Sequence, residues 1–124
     1  MPIDVSIDEK RHLVHRTVEG AVSMDEIIAN LEKTLLHPDY RIGMKDLTDL
    51  RDYVHQSGSE DMRRLAQYII SRSNAAGDFK SALVVSETVT YGMLRMLQIQ
   101  LDSLPSEIAI FYDLDEAERW LGIE

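Results

Sequence analysis

The sequence predicts an α/β fold in which a mixed, mostly parallel sheet is layered with helices. Three observations predict it. The chain opens on strand-like alternation, Ile3, Val5 and Ile7 against Asp4, Ser6 and Asp8. Segments of helical apolar spacing then alternate with short extended runs, joined by short connections. Residues 80–86 (KSALVVS) form a short, continuously apolar run. Such a run suits a strand covered on both faces, hence a parallel sheet with helices on either side.

Each element follows from local chemistry. Asp8-Glu9-Lys10 reads as a turn, and 11–18 as a second strand paired with the first in a hairpin that Gly20 ends. Ser23-Met24-Asp25-Glu26 reads as a capping box. Met24, Ile27, Ile28, Leu31 and Leu35 follow as one apolar stripe, and Pro38 forbids continuation. His37 falls where positive charge suits a helix's carboxyl end. The third strand spans roughly 45–50. A second helix capped by Ser59 carries Met62, Leu65, Ala66 and Ile69, and Gly77-Asp78 breaks it. After the strand at 80–86, Thr88 or Thr90 caps a third helix that runs to about Ser103. Pro105 closes the next turn. A last buried strand occupies 107–112, and Asp113 caps a final helix anchored by Ala117, Trp120 and Leu121. The order is β-β-α-β-α-β-α-β-α, about five strands and four helices in a single domain over 1–124.

Composition narrows the function. With 124 residues the chain has enough length for one core without staples. Without cysteine it forms neither disulfides nor thiolate metal sites, which suits a reducing compartment. No window supplies the roughly 20 apolar residues of a spanning helix. The opening MPIDVSIDEKRH lacks a signal peptide's basic start and apolar centre, so the expectation is a soluble cytoplasmic protein. A net charge of −9 repels phosphate backbones and anionic lipid, arguing against nucleic acid and for peripheral membrane contact at most. Arg63, Arg64, Arg72 and Lys80 read as solvated face charges.

Four pieces of the chain resemble one family. They are Gly20 with the capped helix after it; HPDYRIGM and LTDLRD within 37–52; SALVVSETVTYGMLRM (81–96); and FYDLDEAERWLG (111–122). In that order the chain resembles the bacterial SpoIIAA-like proteins, small relatives of the STAS and CRAL-TRIO folds. The resemblance implies a four-turn β-α superhelix around a mixed sheet. It also implies a non-enzymatic role in regulation or in binding apolar, lipid-like molecules, often as a homodimer. Anti-sigma-factor antagonists of this fold class carry an Asp-Ser-Ser-Gly turn after the third strand, and one of its serines is phosphorylated. Here the corresponding region is His55-Gln56-Ser57-Gly58-Ser59, with the leading Asp gone and a longer loop.

Residues 44–64 hold the most informative local pattern, a strand running into an acidic turn and then a helix amino end. In parallel sheets that rim is a frequent binding place. Ser57 and Ser59 are the candidate phosphorylation or partner turn, although Glu60 and Asp61 already supply negative charge there. Asp46, Asp49, Asp52 and His55 resemble acid–base equipment, but alternation sends Asp46 and Asp49 to opposite faces. Asp49 is then a structural carboxylate needing a partner such as Arg51. His12, His15, His37 and His55 are scattered, so neither a metal nor another cofactor is implied.

In the third helix, Val89, Met93, Met96, Leu97, Leu101 and Leu104 form a stripe that Leu94 widens, while Ile99 faces water. Its methionines make an adaptable surface. The expected ligand-binding residues are therefore Tyr91, Met93, Met96 and Leu97, lining a crevice against the sheet. The function expected is a non-catalytic module for an apolar or lipid-like small molecule. The alternative is a protein–protein switch of anti-sigma-factor-antagonist type, with a regulatory protein meeting residues 57–60.

Overall fold

Alternation at the start of the chain builds the expected hairpin. A computed structural model describes residues 2–123, in which β1 (Ile3–Asp8) and β2 (Leu13–Gly20) pair antiparallel. Residues 9–12 make the turn, somewhat longer than the sequence suggests, and His12 takes a positive φ of 54°. Next come α1 (Met24–Leu35), β3 (Lys45–Tyr53), α2 (Ser59–Ser71), α3 (Ser73–Ala76), β4 (Lys80–Val84), α4 (Thr88–Gln100), β5 (Glu107–Phe111) and α5 (Leu114–Leu121). The architecture is the expected α/β layering, with one addition. The single-turn α3 follows α2 before Gly77, whose φ of 70° and close approach to Ile42 leave no room for a side chain.

The sheet order is β1-β2-β3-β4-β5, and every pairing after the hairpin is parallel. Consecutive parallel strands laid down in one direction, each joined by a crossover of the same hand, put all the connecting helices on one face. Accordingly α1, α2 and α4 cover one face, burying Val18, Leu50, Met62, Leu65, Leu94 and Leu97. Among the described residues only α5 covers the other face, packing Ala117 and Leu121 onto Leu13, Leu47, Ala82 and Val84. The run in β4 is covered on both faces as its composition requires. Among the described residues, no helix is long and apolar enough to cross a membrane.

Helix ends follow side-chain chemistry with two corrections. Ser23 accepts the Glu26 N–H at 3.2 Å, one half of the expected capping box, and Asp113 accepts those of Asp115 and Glu116 at 2.7 and 3.3 Å, as expected. The cap of α2 is Gly58 and not Ser59, which is the first helical residue; Asp61 reaches back to the Gly58 N–H at 3.3 Å. The cap of α4 is Glu87, with no side-chain bond, and neither Thr88 nor Thr90 caps it. Thr90 is instead buried inside the helix-covered face.

β3 is longer than the sequence suggests, and the reason is a bulge. Thr17 pairs with Asp49 but Glu19 pairs with Asp52, so β3 holds one extra residue there. That residue resets the alternation, so that Leu50 and Tyr53, three apart, both reach the three-helix core.

Candidate functional site

The three-helix face of the sheet is not closely filled. Between it and α1, α2 and α4 lies a cavity of about 200 Å³. It extends from the amino ends of β3 and β4, at Met44, Asp46 and Ser81, to Tyr53, His55 and Ser57 past the carboxyl end of β3. Its body is hydrocarbon: Val18, Leu31, Leu50, Leu65, Leu83 and Leu94.

One end is built around a buried arginine. Val14, Arg16 and Val18 share the core side of β2, and Arg16 is only 5% exposed. Its Nε donates to Asn30 Oδ1 at 2.9 Å. Its Nη1 donates to Asp46 Oδ2 at 2.7 Å and to Thr48 Oγ1 at 3.1 Å, and its Nη2 to Thr34 Oγ1 at 3.1 Å. Thr48 in turn donates to Asp46 Oδ1 at 2.6 Å, and Thr34 to the Asn30 carbonyl at 2.8 Å. Guanidinium and carboxylate thus neutralise each other within a hydrogen-bonded cage. At the same end Arg72 Nε lies 2.8 Å from Glu32 Oε1, an ion pair whose N–H is not aimed at that oxygen. Burial, with the Asp46 charge second, raises the Tyr40 phenol above its ordinary 10.0 and keeps it protonated.

The other end is lined by hydroxyls and an imidazole. The Tyr53 and Ser57 hydroxyls share a 2.9 Å hydrogen bond, and Thr90 and half-buried His55 line the same wall.

The expected ligand residues divide. Met93 and Leu97 line the cavity; Tyr91 and Met96 do not. Tyr91 stacks on Tyr112 with ring centroids 5.2 Å apart, at the rim beyond β5. Of the expected α4 stripe, Leu94, Leu97 and Leu101 are buried and Met93 and Leu104 pack against them, but Thr90 is buried where Val89 was expected, and Val89 is exposed. Ile99 faces solvent as expected. Ser57 is buried, whereas Ser59 is exposed at the helix start.

The acidic cluster is dispersed. Asp46 belongs to the arginine cage, while Asp49 bonds Arg51 at 2.7 Å. The Arg51 hydrogen bonds hold the Asp49 carboxyl below its ordinary 3.8. Asp52 is exposed, and only His55 joins Asp46 in lining the cavity. Among the described residues, no group of three His, Asp or Glu side chains is placed to hold a metal ion.

Sequence reasoning missed Arg16, Asn30, Thr34 and Thr48. The signal was present: Arg16 interrupts an apolar alternation, and Asn30 and Thr34 stand four apart beside Ile27 and Leu31.

No protein-family model matches the chain, and no curated protein matches it either. Among solved structures it is similar to an uncharacterized protein of the DUF3478 family with a SpoIIAA-like fold from Shewanella loihica PV-4. The TM-score is 0.61 at 15% identity, covering 96% of this chain and 93% of that one. The chain therefore has a SpoIIAA-like fold, in agreement with the resemblance read from its sequence.

Proposed function

We propose that this chain is a non-catalytic binding domain that holds one small, largely apolar molecule between its sheet and α1, α2 and α4. The observation that carries this reading is the cavity of about 200 Å³ with a hydrocarbon body and polar ends. It exceeds the roughly 150 Å³ apolar void known to admit a benzene. Burying ligand hydrocarbon there yields roughly 2.5 kcal/mol per 100 Å², less the cost of ordering the ligand. A non-catalytic role fits the carboxylates, since Asp46 and Asp49 are each committed to an arginine. The alternative, a partner switch through residues 57–60, has less support. Ser57 is enclosed and engaged with Tyr53, and Ser59 stands beside Glu60 and Asp61.

Native mass spectrometry of protein purified from cells tests the binding reading. The expected result is a small adduct that organic extraction removes and that a folded Leu83→Trp variant, with the void filled, does not carry. Wild-type protein that carries no adduct and takes up no added apolar probe would refute it.

A further inference from the structure

We infer that the molecule held in this cavity is a neutral oxygen-bearing amphiphile, an alcohol or carbonyl compound, and neither a carboxylate nor an amine. The inference rests on the binding function proposed above and specifies the ligand's head. Four of the five guanidinium N–H groups of Arg16 are used within the cage, leaving one on Nη2. Asn30 accepts at Oδ1, and neither its amide N–H groups nor the Ser81 hydroxyl make a side-chain hydrogen bond among the described residues. All three residues line the cavity. That end therefore retains donors, the buried Arg72 Nε–H among them, and both of its cations are already paired: Arg16 with Asp46 at 2.7 Å and Arg72 with Glu32 at 2.8 Å.

A carboxylate entering there would meet the Asp46 charge and compete for the same guanidinium. An ammonium group would face Arg16 and the donors of Asn30. A neutral oxygen accepts from the spare N–H groups and desolvates no ion.

Calorimetric titration at pH 7 with four matched probes tests this: 2-phenylethanol, phenylacetate, phenethylamine and ethylbenzene. The expected order places 2-phenylethanol first, about tenfold or more tighter than either charged probe. Ser81→Ala is expected to weaken 2-phenylethanol and leave ethylbenzene unchanged. Asp46→Asn, which unbalances Arg16, is expected to raise the affinity for phenylacetate. Should Asp46→Asn fail to fold, the wild-type order and Ser81→Ala decide alone. Phenylacetate or phenethylamine binding tightest to wild type would overturn the inference. So would 2-phenylethanol binding no better than ethylbenzene, although the cavity would then still be a binding site. Failure of all four probes would sink the underlying function as well.

Discussion

Arg16 is expensive where it sits. Removing a guanidinium from water costs several kcal/mol, and the cage offsets that only while every partner is present. Arg16→Met alone leaves Asp46 uncompensated and is expected to lower the unfolding free energy by about 3 kcal/mol in urea. The double change Arg16→Met with Asp46→Leu is expected to restore most of it. Ser57 and Ser59 diverge for a related reason. Ser57→Glu buries a charge against Tyr53 and is expected to cost about 2 kcal/mol or more, while exposed Ser59→Glu stays within about 0.5. Asp49 carries a pH signature. Its carboxyl is lowered below 3.8 by the Arg51 hydrogen bonds, so its stabilisation is complete above the unfolded value and declines as the pH falls through the folded one. Acid titration of stability should show that loss below about pH 4 in wild type, and Asp49→Asn should remove that share of it. Of these features the separation of Asp46 from Asp49 and the pairing of Asp49 with Arg51 were legible in the sequence, because they depend on strand alternation and near neighbours alone. The cage was not, since its members come from β2, α1 and β3, and only the packed fold brings them together.

At the scale of elements, strands and helices were readable where apolar period and punctuation agreed, as in β1, α1, β4 and α5. They were misread where a polar residue sits inside. Thr90 occupies a buried position, so counting apolar residues put Val89 in its place at the start of the α4 stripe. Truncation of Val89 checks the difference: Val89→Ala is expected to stay within about 0.5 kcal/mol in urea unfolding, against about 2–5 kcal/mol for Leu97→Ala, buried in both assignments. Likewise Arg51 and Asp52 break the alternation of β3, so its apolar pattern stops at Leu50. The bulge carries it on to Tyr53, which is how that phenol reaches the cavity. A bulge of this kind leaves no distinct mark in the sequence, because it arises from pairing with β2.

For the whole molecule, strand order decides where a ligand can sit. In sheets whose order reverses, a crevice opens at the carboxyl ends of the strands. Here the order never reverses, so no such crevice forms, although the tips after β3 and β5 do share one rim. The space lies instead under three helices on one face, and its polar end is near the amino ends of β3 and β4. Sequence periodicity reveals that strands are buried but not the direction in which the sheet grows, so a crevice was expected between the sheet and the third helix alone, and the share of α1 and α2 in it was not. The central claim is that this one face admits an apolar guest. Titration of ¹⁵N-labelled protein with ethylbenzene tests it most directly. Saturable amide shifts are expected at Val18, Leu50, Leu83 and Leu94, with Leu13, Ala82 and Leu121 on the opposite face unmoved. Absence of saturable shifts, or shifts spread equally over both faces, would contradict it.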